Sequence, residues 1–191
     1  MTTLPRGYRE VRRVDLMRNR KEAMAVNALA LVITGALFAL GFVLCPPFVE
    51  ITIGIHTVFN MAFLVIGMIA YMIFHELIHG VFMKAFSGTK PHYGFTGLYA
   101  YAGSDAYFAR KQYLVIAFAP VVILGIIIGV LNVAFYETAF WYIYMIQIVN
   151  LSGAAGDLYV GFLIARSGND VVVRDMGTDM SFYSSCETMR R

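Results

Sequence analysis

The sequence predicts an all-α integral membrane protein of four transmembrane helices with a small aromatic, β-like cytoplasmic loop. Three observations carry that prediction. Of the 191 residues, 59% are hydrophobic and only 14% are charged, against about 25% charged in an average soluble domain. Mean hydropathy is +0.68, which leaves too few polar side chains to coat a water-soluble globule. The apolar residues also fall into four runs, each long enough to cross a hydrocarbon slab. Two cysteines exclude a disulfide-stapled scaffold or a cysteine-rich zinc module. The chain is therefore expected to form a single membrane domain over residues 1–191.

The basic leader, residues 1–24, precedes a first span expected at about 25–44, inside a stretch from Glu22 to Glu50 with no formal charge. That run is too long for the apolar core of a cleaved signal, so it is read as a retained span. Cys45-Pro46-Pro47 ends it, because proline cannot continue a helix. A second span is expected at about 57–83, interrupted by His75, Glu76 and His79. The loop at 86–111 mixes glycines with Tyr93, Phe95, Tyr99, Tyr101, Tyr107 and Phe108, a composition expected to form a hairpin at the membrane interface. The third span, about 114–135, contains Pro120, which a membrane helix tolerates when neighbours satisfy the freed carbonyl. A tight turn around Glu137 leads to the fourth span, about 140–165, which contains Asn150 and Asp157. In the tail, 166–191, Val171 to Val173 reads as a strand, followed by a Gly177-Thr178 turn. It is expected to be a small appendage.

Lysine and arginine counts orient the chain. Seven lie in the leader up to Lys21, four between Lys84 and Lys111, and four from Arg166 onward, which accounts for all 15 bases. Four spans put those segments on one side, so both termini are expected to be cytoplasmic. Flanking bases of this kind also explain the net charge of +3 without a nucleic-acid partner. Trp141, Tyr142 and Tyr144 are expected in an interfacial aromatic belt. Cys45 and Cys186 fall on opposite sides and are not expected to pair.

His75-Glu76-Leu77-Ile78-His79 is an H-E-x-x-H pattern inside a helical run. Residues four apart share a helix face, so both imidazoles can reach one ion, and the glutamate after the first histidine can accept a proton from water. An ionisable group within a span persists where it meets a partner or a water-filled cavity. A catalytic zinc takes a third protein ligand, and Asp157 is the only other acid inside an expected span. His75 stands nine residues before Lys84 and Asp157 nine before Arg166, so the two share a depth on parallel spans. Asn150 lies two turns before Asp157 on the same face. It can contact substrate, orient a ligand, or join two helices. His56 and His92 lie away from that depth and are read as ordinary polar residues.

HELIHG, the Gly- and Tyr-rich loop, Asn150-x-x-Gly-x-x-Gly-Asp-Leu and a D-x-G-T-like tail from Asp175 together resemble the bacterial and archaeal membrane family of zincin peptidases. That family is itself similar to the site-two protease group of intramembrane metalloproteases. In that group the second motif is Asn-x-x-Pro-x-x-x-Leu-Asp-Gly. Here Gly153 stands in place of the proline, the Asn-to-Asp spacing is seven rather than eight, and no leucine precedes the aspartate. The resemblance implies one zinc per chain on His75, His79 and Asp157, with Glu76 as the base.

The expected function is an intramembrane zinc metallopeptidase of the prokaryotic cell membrane. It would cut a membrane-associated protein or peptide near the cytoplasmic face. The alternative is a non-catalytic membrane protein that binds or transfers a metal ion through the same residues.

Overall fold

A computed structural model of the chain describes residues 1–44, 55–97 and 100–185. The expected break at Cys45-Pro46-Pro47, the Cys45 and Cys186 pairing question and Tyr99 lie outside the described residues. Eleven elements follow one another: β1 (Tyr8–Val14), α1 (Arg20–Leu44), α2 (Ile55–Ser87), β2 (His92–Phe95), β3 (Ala100–Gly103), β4 (Tyr107–Ala109), α3 (Arg110–Ala134), α4 (Tyr136–Gly153), α5 (Ala155–Arg166), β5 (Val172–Asp175) and β6 (Met180–Ser185).

Four helical stretches among the described residues are long and apolar enough to cross a membrane: Arg20–Leu44, Val58–Ser87, Arg110–Ala134 and Tyr136–Arg166. Each matches its expected span to within a few residues at either end, the second beginning at Val58 and the third ending at Ala134. Asn19 explains where the first begins. Its Oδ1 accepts the backbone N–H groups of Lys21 and Glu22, satisfying two donors that a helix start leaves orphaned. The turn expected around Glu137 is tighter than a hairpin loop. Phe135 alone separates α3 from α4, and Glu137 already belongs to the first turn of α4. The fourth stretch is not continuous, since Ala154 divides α4 from α5.

The all-α expectation is corrected by two antiparallel sheets. The expected hairpin forms from β2 and β3, which pair from His92↔Gly103 to Phe95↔Ala100. The larger sheet has the order β1-β6-β5-β4. It joins the leader, the tail and the end of the loop, three segments that the sequence reading treats as separate. The tail is thus no appendage, for β5 and β6 form the middle of this sheet. Strands distant in sequence pair because each alone would leave backbone groups unsatisfied, and no local periodicity announces such a partner.

The sheet covers the ends of the helices. Phe108, Val173 and Phe182 from its strands pack against Met83, Tyr113, Ile116, Val160 and Ile164. A second cluster, Tyr71, Leu124, Ile128, Ile143 and Ile146, lies between α2, α3 and α4. Trp141 and Tyr144, expected in an aromatic belt, pack among the helices, Trp141 half-buried and Tyr144 buried. Tyr144 is buried, stacks on Phe140 and donates its hydroxyl to the Leu37 carbonyl of α1. Gly41 makes that approach possible, because a Cβ there would lie 2.6 Å from the Tyr144 ring. The outer faces of the helices expose large apolar side chains such as Leu31, Val43, Phe59, Ile66, Ile126 and Val133. A surface of this kind is shed by water and matched by lipid.

Candidate metal centre

The HELIHG sequence lies within the 33-residue α2, where four-residue spacing places His75 and His79 one above the other. Both are buried, and their rings meet edge to face at 4.8 Å. Asp157 enters from the first turn of α5. His75 Nε2 lies 3.2 Å from Asp157 Oδ2 and 3.2 Å from His79 Nε2, and His79 Nε2 lies 3.5 Å from Asp157 Oδ1. The three expected ligands thus converge.

The tautomers follow from what stands behind the rings. His79 Nδ1 is 2.9 Å from the Ile116 carbonyl, which can only accept, so this nitrogen carries the proton and Nε2 keeps its lone pair. Behind His75, the Tyr71 hydroxyl lies 3.2 Å from Nδ1 and donates to the Asn150 carbonyl at 3.4 Å. With that proton on the carbonyl, the hydroxyl oxygen is free to accept from His75 Nδ1–H, the arrangement that leaves Nε2 its lone pair.

Two imidazole lone pairs and a carboxylate therefore face one another, all within 4.8 Å, a set that attracts a cation. Ligands at 2.0–2.1 Å from a tetrahedral zinc are about 3.3 Å apart. The observed edges of 3.2, 3.2 and 3.5 Å fit that size, and the nitrogen and carboxylate donors fit that metal. His75, His79 and Asp157 would hold it, and a three-ligand set leaves the fourth position open.

Glu76, next to His75 and half-buried, faces the backbone N–H of Ala102 on β3. The hairpin lies directly against this part of α2: a Cβ on Gly80 would fall 2.0 Å from the Tyr93 hydroxyl. Asn150 is fully buried, and its Nδ2 donates to the Val121 carbonyl of α3 at 3.2 Å. Its Oδ1 is buried with no hydrogen-bond partner among the described residues. Its side chain thus joins α4 to α3, while its backbone carbonyl serves the Tyr71–His75 pair. His92 stands apart from the cluster, with Nε2 3.3 Å from the Met176 carbonyl.

The sequence reading missed Tyr71 and the Ile116 carbonyl. Tyr71 sits one helical turn before His75, so its spacing is a usable signal. The carbonyl is signalled only by Pro120, four residues downstream. Asp175, read in the sequence only as the start of the D-x-G-T-like tail, is buried and accepts hydrogen bonds from the Tyr113 hydroxyl and, at 2.8 Å, from the Gly177 N–H. Burial holds its carboxyl above the ordinary carboxylate range, although both hydrogen bonds and His79 pull it down.

No curated protein and no solved structure matches the chain. A family model described as "Putative zincin peptidase" matches residues 68–172, a stretch that contains the H-E-x-x-H motif, the hairpin, Asp157 and every residue placed at the centre above. Because that stretch is more than half of the 191 residues, the chain belongs to this zincin peptidase family.

Proposed function

We propose that this protein is a membrane-embedded zinc metallopeptidase, similar to the site-two protease group, that hydrolyses a peptide bond of a membrane-associated protein or peptide near the cytoplasmic face. The observation behind this reading is the His75–His79–Asp157 triangle of tetrahedral-zinc dimensions with Glu76 beside it. The four apolar stretches lie in the bilayer of a prokaryotic cell membrane, and both termini and the two sheets are cytoplasmic, where all fifteen bases fall.

Zinc, when bound, polarises the substrate carbonyl and acidifies the attacking water. Glu76 accepts the water's proton on its carboxylate and later returns it to the leaving amine. The N–H of Ala102 holds that carboxylate in place between the two transfers. His75 and His79 would hold the ion through Nε2, with Nδ1 turned to the Tyr71 hydroxyl and the Ile116 carbonyl. Burial of both imidazoles keeps bulk water from competing with the substrate carbonyl. The β2 strand, whose Tyr93 and Phe95 are exposed, pairs among the described residues only with β3. Its other edge serves an extended stretch of substrate by strand addition.

The test compares wild type with Glu76→Gln, expressed at equal levels in a bacterial membrane. Zinc content of the purified protein and the new protein N-termini appearing in the cells are measured. The expected outcome is about one zinc per chain in both and cleavage products in wild type alone. Equal product formation by Glu76→Gln would exclude this mechanism. Loss of zinc from Glu76→Gln, with no products from either protein, would favour the metal-transfer reading, in which Glu76 is a ligand.

A further inference from the structure

One backbone carbonyl stands behind each ligand histidine of α2, directly at His79 and through the Tyr71 hydroxyl at His75, and both carbonyls belong to irregular places in the facing helices. In a regular helix the Ile116 carbonyl accepts the N–H of residue 120. That residue is Pro120, fully buried inside α3, and it has no N–H to give. The carbonyl accepts His79 Nδ1–H instead, at 2.9 Å. By the same rule the Asn150 carbonyl should accept the N–H of Ala154. At the junction of α4 and α5 that N–H turns to the Ser152 carbonyl, and the Asn150 carbonyl takes the Tyr71 hydroxyl that faces His75 Nδ1. Gly153 leaves this hydroxyl its room, since a Cβ there would stand 3.3 Å from it.

We infer that Pro120 and the interruption at Ala154 are positioning elements of the metal centre. Each withholds one helical hydrogen bond, and each thereby releases one carbonyl that sets a ligand histidine in the Nδ1–H tautomer with Nε2 turned toward Asp157. Ring orientation and tautomer are what an outer partner controls at a metal-bound histidine. A proline that only bent α3 would have no reason to stand four residues after the one carbonyl that meets His79. This inference rests on the reading of the triangle as a zinc site.

The experiment uses the full-length protein in detergent, with zinc as the probe. Its dissociation constant is measured by chelator competition for wild type, Pro120→Ala and Tyr71→Phe, and thermal unfolding of each metal-free protein is followed in parallel. Pro120→Ala restores an N–H that recaptures the Ile116 carbonyl, so zinc should bind about 10–100-fold more weakly while the metal-free protein unfolds at the same or a higher temperature. Tyr71→Phe keeps the ring and removes the hydroxyl, and should weaken zinc by a similar factor. Wild-type affinity in Pro120→Ala would overturn the role of the proline, and wild-type affinity in Tyr71→Phe that of the Ala154 interruption. A Pro120→Ala protein that loses zinc only in step with thermal stability would show a packing role and also overturn the inference. Failure of wild type to bind zinc at all would instead overturn the zinc reading on which the inference rests.

Discussion

The two sides of the candidate centre are built in opposite ways. α2 is a single helix of 33 residues that brings two ligands and the base together through regular helical spacing. The α4–α5 side delivers one ligand from a path divided at Ala154, with Asp157 in the first turn after the division. Regular geometry makes a site readable from residue spacing, because the period of the helix is known in advance. An interruption resets both direction and hydrogen bonding. Its product, here the Asn150 carbonyl turned to Tyr71, depends on what lies across the gap.

This contrast can be tested at four strengths. The largest effect is expected from removing a ligand on either side. His75→Ala and Asp157→Ala should each abolish stoichiometric zinc in the purified protein, measured by mass spectrometry, since a three-ligand site has none to spare. Retention of zinc by Asp157→Ala alone would mean that the broken side contributes no ligand and would collapse the comparison.

Gly153→Ala probes the broken side more gently. The added methyl would stand 3.3 Å from the Tyr71 hydroxyl, so the hydroxyl must move by a few tenths of an ångström. A loss of zinc affinity of about threefold to tenfold is expected, smaller than removal of an outer partner outright. The helix itself should gain from alanine, and affinity and thermal stability should therefore move in opposite directions.

A pH effect follows from Asp175, whose carboxyl is raised by burial. Folding favours its protonated form, so the stability it contributes is complete below the ordinary carboxylate range and is lost as pH rises through its raised value. Thermal unfolding of wild type should therefore gain on Asp175→Asn as the pH is lowered from neutrality, and a constant difference across that range would refute the assignment. The smallest effect is expected on α3 at Gly129, where an added Cβ meets nothing within 4 Å. Gly129→Ala should leave zinc affinity unchanged and shift stability by about 0.5–1 kcal/mol in favour of the folded state, as read by thermal unfolding.

Much of the centre was visible in residue order. His75, Glu76 and His79 follow from one motif, and Asp157 follows from its charge inside an apolar run and its matching distance to Arg166. Tyr71 was within reach, one turn before His75, but a tyrosine in an aromatic-rich span carries little signal of its own. The packing of Trp141 and Tyr144 against α1 was not legible, because composition alone does not reveal which helix an aromatic side chain meets. The sheet was the largest omission. β1 and β6 pair across nearly the whole chain, from Tyr8↔Ser185 to Val14↔Met180, and strand pairing over such a separation leaves no local trace.

By itself, the amino-acid sequence determined the four apolar stretches, the placement of the bases and the identity of the candidate ligands. These depend on length, charge and helical period, which are local quantities. Tertiary structure alone decided which carbonyls stand behind His75 and His79, which hydrogen bonds Pro120 and Ala154 leave unmade, and how leader, loop and tail join in one sheet. Each of these is a choice of partner for a backbone group. A buried backbone group must find some partner, and which one it finds depends on what packing brings within reach.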